Sequence, residues 1–481
     1  MHVLIIGAGI GGLTTAALLL KQGWRVTVLE AGTYPGGCAG TFFHKGYRFD
    51  AGATLAGGFD PAGPHTRVAE ILGLEWPVTP IPDAAWVTHL PTESVYQWVD
   101  PARWREEYLT RFPFSARFWQ KQEQLARIAW DIASRDFPWP PATIAEALRL
   151  PLALRPETLA AAPYLFRKVR HLLPRETTPA FKAFVDGNLL ISAQAISDHA
   201  DALYGASVLD LPRRGVMHVR GGMGAIAETL VSWIQANGGE VKYRQRVTHL
   251  ETANGRVRAA VTARQMRFEA DVFLANLTPW GLEALLGEAA PGNLRRETCS
   301  RPWMWGAFVV HAGVRAEKIS TSITHHQVIV DVNQPLGEGN SVFISLSPLD
   351  DPSRAPAGMR AAILSTHTRI ADWQGLDEAA YEERKAVYTQ KVLTAAERAL
   401  PGFRAAAELV LPGAPHTYEF YTRRPFGMVG GFPQTSLFAA RGPQTGFGNL
   451  WLVGDSIFPG QSTAGVTLGA MRVARLVNGK S

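Results

Sequence analysis

The sequence predicts an α/β fold, in which a domain built on a parallel sheet is interleaved with a mixed α+β domain that contains an antiparallel sheet. Three observations support this prediction. A strand, a glycine turn and a helix follow one another in residues 3–22, and a second buried-type apolar strand occurs at residues 450–453. Between residues 291 and 434, apolar and polar residues alternate in several runs, which is typical of strands.

The length and composition of the chain exclude several classes of protein. A chain of 481 residues with 46% hydrophobic and 19% charged residues is neither disordered nor fibrous, and it can bury a large core. Two cysteines, Cys38 and Cys299, cannot build a disulfide framework, which favours a reducing compartment. The net charge of +6 is too small to indicate nucleic-acid binding, so we expect no such partner.

One uncharged stretch, Val3–Leu20, reaches the length at which a membrane span has to be considered. Four glycines interrupt it, and Met1-His2 supplies no basic region of the kind that precedes a signal peptide. We therefore predict a strand, a turn and a helix here, in a chain that does not span a membrane.

The first thirty residues predict a Rossmann-like dinucleotide-binding unit. An apolar strand at 3–6 leads into a glycine turn and a helix at 13–22, and a second strand at 25–29 ends on Glu30. The glycines permit a tight turn and close approach of a pyrophosphate, which meets free N–H groups at the helix start. Glu30 can accept both hydroxyls of an adenosine ribose. The turn glycines predicted to bind the cofactor are Gly7, Gly9, Gly11 and Gly12.

The residues after Glu30 favour FAD as the dinucleotide. The Glu30 carboxylate opposes a 2′-phosphate, which makes NADP unsuitable. Residues 31–54 are rich in glycine, and each glycine removes a Cβ where backbone could lie against an extended cofactor; an ordinary surface loop is the alternative. Cys38 is interpreted as a small packing residue and not as a redox thiol. The predicted cofactor contacts in this stretch are Gly36, Gly37, Cys38, Ala39, Gly52, Ala53 and Thr54.

Three separated blocks, at 3–54, 219–247 and 450–466, carry a family resemblance. In these blocks the chain resembles the flavoprotein superfamily of amine oxidases and phytoene-type desaturases. Within that superfamily it is most similar to the carotenoid desaturase and isomerase clade, and especially to the cyanobacterial carotenoid 3′,4′-desaturases. Weaker likeness runs through the middle, so that most of the chain is covered.

The resemblance implies further cofactor contacts. It places Val247 against the adenine, and Gly454 and Asp455 against the ribityl or pyrophosphate part of FAD. Asp455 could instead be a helix N-cap. Thr463 and Ala464 would lie near the pyrimidine edge of the flavin, where a helix N-terminus stabilises negative charge.

The order of the blocks implies interleaved domains. The FAD-binding domain is predicted at 1–80, 215–290 and 435–481. The substrate and membrane-associating domain is then formed by 81–214 and 291–434. Aromatic residues of 81–214 suit either a core or a hydrophobic tunnel.

Local patterns predict several elements of these domains. A helix at 226–234 should be followed by a strand that reaches Val247, and a longer helix is predicted at 378–400. Strands should form the floor and walls of a long pocket, and the loop 418–427 should return beside the flavin. The predicted wall strands are 303–310, 327–332 and 341–347.

Residues 149–175 contain six basic side chains against one acidic side chain. Apolar residues at helical spacing between them suit an amphipathic helix on an anionic membrane; a solvated basic face over a core stripe is the alternative. The resemblance favours the membrane interpretation, since carotenoids must be drawn from lipid. It predicts a peripheral protein on the cytoplasmic side of a membrane. The apolar residues of the predicted helix are Leu165, Phe166, Val169, Leu172 and Leu173.

The resemblance implies carotenoid desaturation, in which a hydride passes to the flavin, a proton leaves the neighbouring carbon and the conjugated chain lengthens. A quinone or oxygen would accept the electrons. The alternatives are a carotenoid cis–trans isomerase that uses reduced FAD, another amine oxidase-like enzyme, and a non-catalytic carotenoid-binding flavoprotein. No catalytic residue and no metal site is assigned, and His325-His326 is interpreted as a surface pair. The residues considered as bases are Asp50, His199, His218 and Tyr421.

Overall fold

A computed structural model gives the structure of residues 1–135, 137–300 and 305–479. Its strands are β1 (His2–Ile6), β2 (Arg25–Leu29), β3 (Thr41–His44), β4 (Tyr47–Asp50), β5 (Val78–Pro80), β6 (Ala84–His89), β7 (Ser94–Trp98), β8 (Met217–Val219), β9 (Glu240–Lys242), β10 (Val247–Ala253), β11 (Arg256–Thr262), β12 (Arg267–Glu269), β13 (Val272–Ala275), β14 (Gly306–Arg315), β15 (His325–Ile329), β16 (Ser341–Leu346), β17 (Met359–Thr368), β18 (Ala407–Gly413) and β19 (Leu450–Leu452). Its helices are α1 (Ile10–Lys21), α2 (Pro64–Leu72), α3 (Pro101–Arg111), α4 (Ala116–Ser134), α5 (Ile144–Arg149), α6 (Pro156–Leu159), α7 (Pro179–Ala193), α8 (Ala202–Leu209), α9 (Gly224–Ala236), α10 (Pro279–Leu286), α11 (Gly292–Ser300), α12 (Glu378–Ala399), α13 (Phe403–Ala406), α14 (Pro415–Thr422) and α15 (Thr463–Val477).

A five-stranded parallel sheet has the order β19-β13-β1-β2-β9. Its inner strands are largely apolar because both faces of a parallel sheet are covered, whereas the edge strand β9 is Glu-Val-Lys. Helix α1 packs against α9 and α15, and the side chains between them and the sheet form one large core. Since these strands come from both ends and the middle of the chain, the predicted interleaved α/β fold is confirmed.

A seven-stranded mixed sheet has the order β18-β14-β17-β16-β15-β6-β7, with antiparallel neighbours except for the β15–β6 pair. Side chains alternate across it as the period of a strand requires. On β14, Phe308, Val310 and Ala312 pack in the core under α12, whereas Ala307 and Val309 face a large cavity. This sheet is therefore the wall that the sequence predicts for the pocket.

Several local predictions are close to the observed bounds. Helix α12 ends one residue before the predicted end at 400, and α9 extends the predicted 226–234 helix at both ends. Strand β16 occupies most of the predicted 341–347, whereas β15 begins two residues before the predicted 327–332 and covers only its first half. Of the strand predicted at 303–310, residues 303 and 304 lie outside the described residues, and β14 begins at Gly306.

The prediction that the strand after α9 continues to Val247 is wrong. Strand β9 ends at Lys242, and Val247 is the first residue of β10, in a separate three-stranded antiparallel sheet. The chain between them turns because the N–H of Arg244 donates to the carbonyl of Gly32, and that of Gln245 to the carbonyl of Glu30. These bonds tie the turn to the cofactor segment.

The aromatic residues of α3 and α4 form a core and not a tunnel. Trp104 and Trp119 are buried with their ring centroids 4.9 Å apart, in the edge-to-face arrangement that aromatic rings favour. Phe112 and Phe118 belong to the same cluster, and none of these four side chains lines the large cavity.

The prediction of an amphipathic helix within 149–175 is wrong. The segment contains only the end of α5, the one-turn helix α6 and short 3-10 turns, since prolines recur through it and proline disrupts helices. Val169 is fully buried, and Phe166 is the only one of the five predicted membrane-facing side chains that is exposed. Among the described residues, no helix combines the length and the apolar character that crossing a bilayer requires.

Candidate cofactor site and active-site cavity

A cavity of about 1750 Å³ extends from the carboxyl edge of the parallel sheet to the wall of the seven-stranded sheet. Small-molecule sites usually measure roughly 300–1,000 Å³, so this space can hold a dinucleotide and a second ligand together. At one end it is lined by the glycine turn and Glu30, and at the other by side chains of β14 and β17.

The glycine turn forms a phosphate cradle at the start of α1. Gly7 has φ +97°, a left-handed conformation that suits glycine. A Cβ on Gly9 would lie 2.5 Å from Nδ2 of Asn276, so only glycine lets the backbone pass here. Helix α1 has no side-chain cap, which leaves its first N–H groups available to an anion. Sequence analysis missed Asn276, although it follows β13 directly at the sheet edge where such sites form.

Glu30 is held at the end of β2 by two backbone bonds. The N–H groups of Ala8 and Gly32 donate to its two carboxylate oxygens, each at 2.7 Å. Burial raises the pKa of Glu30, while these bonds act in the opposite direction. The carboxylate is thus fixed on the cavity wall beside the glycine turn, as an acceptor for a ribose requires.

Asp455 forms an ion pair and is not a helix N-cap. Its Oδ2 accepts a bond of 2.8 Å from Nη1 of Arg424, whose Nη2 donates to the carbonyl of Gly430. The N-cap of α15 is Ser462, whose hydroxyl accepts from the N–H of Gly465. Burial alone would lower the pKa of Arg424, but the charge of Asp455 raises it above its ordinary value, so the guanidinium is charged.

The segment 418–427, which contains Arg424 and is called the Arg424 loop below, lies beside the glycine-rich residues 31–54, as the sequence predicts. Cys38 is next to Arg424 on the same wall of the cavity. Burial raises the pKa of the Cys38 thiol even though the guanidinium lowers it, so the thiol stays protonated. This state suits the predicted packing role and not that of a reactive thiolate.

The structure brings most of the predicted cofactor residues to one cavity. Two lie behind it: a Cβ on Gly12 would lie 2.5 Å from the carbonyl oxygen of Gly7, and Ala464 is buried against Gly58. The predicted residues that line the cavity are Gly7, Gly9, Gly11, Glu30, Gly36, Gly37, Cys38, Ala39, Gly52, Ala53, Thr54, Val247, Gly454, Asp455 and Thr463.

The walls of the cavity fit a large polar cofactor. Three buried atoms of lining residues have no hydrogen-bond partner within the described chain: Oε1 of Gln245, Oε1 of Gln194 and Nε of Arg424. Buried polar groups are normally bonded, so each of these atoms can pair with a bound ligand. They lie in an elongated space that also contains the cradle and Glu30, which is the arrangement that FAD requires.

Within the described residues, the far wall carries no charged side chain, and its polar residues are two neutral histidines and the hydroxyl residues Ser365 and Thr366 of β17. Burial lowers the pKa of His311 and of His367 to about 4, so both imidazoles are uncharged near neutral pH. His311 also donates from Nε2 to the carbonyl of Asp50 at 3.0 Å. His367 lies edge-on to Trp305, with the ring centroids 5.7 Å apart. No carboxylate of the described strands lines this wall.

Most of the side chains considered as bases lie elsewhere. Asp50 and His218 line a separate cavity of about 30 Å³, and exposed His199 lines neither cavity. Tyr421 lies at the rim of the large cavity and is 67% exposed. The expectation of a surface pair at His325-His326 is wrong, because β15 buries both rings.

Comparison with known proteins identifies the family. The model of flavin containing amine oxidoreductases matches residues 10–478. The chain belongs to this family. It is an FAD-dependent oxidoreductase, and its cofactor is the FAD that the cavity fits.

Two curated relatives cover nearly the whole chain. Prolycopene isomerase 1 of an Oncidium hybrid cultivar is 27% identical over 497 residues, which span 98% of this chain and 83% of the relative. A lycopene-forming phytoene desaturase of Paracoccus is 25% identical over 518 residues, which span 98% and 96%. The predicted resemblance to the carotenoid desaturase and isomerase clade is confirmed.

A solved structure supports the fold. The cyclohexylamine oxidase of Brevibacterium oxydans superposes with a TM-score of 0.63 at 17% identity, covering 100% of this chain and 99% of the oxidase. At this identity the likeness bears on the fold alone.

Proposed function

We propose that this flavoenzyme desaturates a carotenoid, acting as a 3′,4′-desaturase. The observation that carries the proposal is the far wall of the cavity, where the described strands β14, β16 and β17 present no charged side chain and Ala307, Val309 and Phe343 are apolar. A long polyene offers no charged group, so it suits an uncharged wall with apolar side chains. Two relatives are named as a prolycopene isomerase and a phytoene desaturase, and these names support a carotenoid as the substrate.

Charges in the cavity do not favour an amine substrate. An ammonium group that leaves water is best paired with a free carboxylate. Each carboxylate that lines the described cavity already accepts a bond: Glu228 from Arg48, Glu419 from the N–H of Phe426, and Glu30 and Asp455 as described above. A neutral hydrocarbon substrate leaves these pairs undisturbed.

FAD held by the glycine turn, Glu30 and Asp455 would supply the acceptor for a hydride from one carbon of the substrate, and loss of a proton from the neighbouring carbon would complete the double bond. The protein holds the polyene against the strand wall and excludes water. His367 is a neutral side chain on this wall that can receive the proton. It is a weak base, which suffices because a polyene that has lost hydride is strongly acidic. A quinone or oxygen removes the electrons at the end of the cycle.

An anaerobic single-turnover assay with one defined monocyclic carotenoid tests this proposal. Desaturation bleaches one flavin per double bond formed, and the absorption of the product shifts to the red. A carotenoid that occupies the protein with neither change would contradict the proposal and would indicate a carrier.

Carotenoid isomerisation is the second candidate, because the relatives at 27% identity are named prolycopene isomerases and the desaturase relative is 25% identical. The same assay separates the two reactions. Isomerisation changes the geometry of the product, leaves its number of double bonds unchanged, and consumes no oxidant.

A further inference from the structure

One row of side chains crosses the wall of the large cavity from strand to strand. Val309 of β14 pairs with Ser365 of β17, and Ser365 pairs with Phe343 of β16. Residues that pair directly across antiparallel strands share one face of the sheet, and all three of these line the cavity. Neighbouring strands lie about 4.8 Å apart, so the row runs for about 10 Å along the cavity.

The row continues beyond Phe343, but the cavity does not. Phe343 pairs with Gln327 of β15, and Gln327 pairs with Thr88 of β6. Gln327 and Thr88 are buried, and neither lines the cavity. Helix α7 covers β15 here, since a Cβ on Gly187 would lie 2.8 Å from Nε2 of Gln327. Phe343 is therefore the last side chain of the row that a ligand in the cavity can reach.

Helix α7 forms the opposite side of this end of the cavity. Gly187 packs against Gln327, whereas Ile191, four residues later and on the same face of the helix, lines the cavity. Four residues of a helix span about 6 Å. The cavity is thus closed within about one helical turn, between the contact at Gly187 and the opening at Ile191.

Two aromatic neighbours hold the ring of Phe343 in place. Its centroid lies 6.4 Å from that of Trp86, edge-to-face, and 6.0 Å from that of His325. Trp86 donates from Nε1 to Oδ1 of Asn188 at 3.0 Å. His325 donates from Nε2 to the carbonyl of Thr54 at 3.1 Å. Because hydrogen bonds fix both neighbours, the ring of Phe343 is a firm end to the cavity.

This end of the cavity is also close to the cofactor residues. Ser345 donates from its hydroxyl to Oγ1 of Thr54 at 2.8 Å, and Thr54 lines the cavity. Ser345 and Phe343 lie two residues apart on the same face of β16, a separation of about 7 Å. A ligand that reaches Phe343 therefore extends only a short way past Thr54.

We propose that Phe343 stops the inserted end of the polyene and thereby determines which of its bonds lies beside the cofactor. A polyene carries no polar group that could fix its position along an uncharged wall, so a steric stop supplies the register. Because Phe343 is close to Thr54, the bond that reacts lies near the inserted end of the chain. The inference rests on the proposed function for the identity of the ligand.

A binding assay with the full-length flavoprotein tests the stop without turnover. The flavin is reduced with dithionite so that it cannot accept hydride, and quenching of tryptophan fluorescence measures the affinity. The probes are lycopene, which has two acyclic ends, and its isomer β-carotene, which has two ring ends. Phe343→Ala extends the cavity toward Trp86, so the affinity for β-carotene relative to lycopene should rise at least about tenfold, the effect of about one methylene in an apolar pocket.

The position of the new double bond tests the register. In a single turnover with lycopene, Phe343→Ala should form the bond further from the chain end than the wild type does, because the chain inserts more deeply; fragmentation in the mass spectrometer locates the bond. Phe343→Leu removes less volume and should change the affinity ratio in the same direction. Phe343→Trp should instead lower the affinity for both polyenes about tenfold, since the end of the cavity is overfilled.

A neighbouring residue supplies the control. Val342 lies next to Phe343 on β16, but its side chain is buried in the core on the other face of the sheet. Val342→Ala should leave the affinity ratio and the position of the bond unchanged. The melting temperature and the flavin content of each variant show that it has folded.

The outcomes separate this proposal from the proposed function. If turnover is intact but Phe343→Ala and Phe343→Leu change neither the affinity ratio nor the bond, the stop is overturned and the proposed function stands. A raised ratio without reduction of the flavin by either polyene would support the stop and contradict the proposed function. A wild-type protein that binds neither polyene would overturn both.

Discussion

Replacing Asp50 by asparagine tests whether this carboxylate supports the fold or the chemistry. Asp50 is 4% exposed, and its Oδ2 accepts a bond of 2.9 Å from Arg354. Its Oδ1 accepts from the N–H of Met223 at 2.8 Å and from the hydroxyl of Thr41 at 2.7 Å. One carboxylate thus joins the β3–β4 ribbon, the start of α9 and the loop before β17, and Asp50 itself does not line the large cavity.

The structure sets the size of the expected effect. Asparagine keeps an oxygen for Thr41 and Met223 but leaves the Arg354 side chain, which is 6% exposed, without its counter-charge. Breaking a buried ion pair in this way costs about 3–5 kcal/mol. The entropy of unfolding is about 1.0 kcal/mol/K for 481 residues, from ~2.1 cal/mol/K per residue. We therefore expect the melting temperature to fall by about 3–5 °C when the whole chain unfolds as one unit.

Circular dichroism during heating measures the melting temperature, and stopped-flow turnover per bound flavin measures the chemistry. Asp50→Asn should lower the first and leave the second unchanged. Arg354→Met should have the same effect on stability, and D50L/R354M should recover part of the loss because it removes both charges. An unchanged melting temperature with a large loss of turnover per flavin would refute this reasoning and place Asp50 in the reaction.

Four further predictions concern the cavity. Glu30→Gln should weaken FAD binding about 10–100-fold, because bonds to a charged acceptor contribute ~1.5–3 kcal/mol. Fluorescence titration measures the affinity, Glu106→Gln is the exposed control, and equal affinities of the wild type and Glu30→Gln would contradict the ribose contact. Since burial raises the pKa of Glu30, wild-type affinity should fall as the pH is lowered through that raised pKa. The losses in the free energy of unfolding caused by Arg424→Met and by Asp455→Asn should be non-additive by about 1–3 kcal/mol. Thermal unfolding of both single variants and the double variant measures this coupling, and additive losses would contradict a coupled pair. With the pKa of His367 at about 4, turnover should show no histidine step near neutral pH, and a step that His367→Gln removes would contradict its burial.

Sequence reasoning succeeded where the determinants are local. The strand, glycine turn, helix and terminal Glu30 lie within thirty residues, and each supports the others. The main error there was the start of α1, predicted at Leu13 and observed at Ile10. The glycines at 11 and 12 look like turn residues, but a Cβ on Gly11 would lie only 3.0 Å from the Cα of Gly454. Close packing of the helix, and not the turn alone, requires glycine at that position.

Residues whose partners are distant in sequence carried no local signal. Arg424 and Asp455 meet because the Arg424 loop passes over the end of β19. Asn276 reaches the glycine turn because β13 is the neighbour of β1 in the sheet. Only the rule that ligands bind at the carboxyl edge of a parallel sheet could have selected Asn276, since it follows a buried strand.

In segment 149–175, the charged residues correctly predicted exposure to solvent, whereas the spacing of the apolar residues wrongly predicted a helix. Its apolar spacing suggested a helix, yet Val169 is bonded through its N–H to the carbonyl of Ala200 and its side chain is buried. The arginines are exposed as expected, since unpaired charges are seldom buried. The apolar groups that reach solvent lie largely before Phe166, beginning at Ile144. A substitution at Val169 would therefore lower the stability of the core, whereas substitutions at the exposed Leu148 and Leu152 would not.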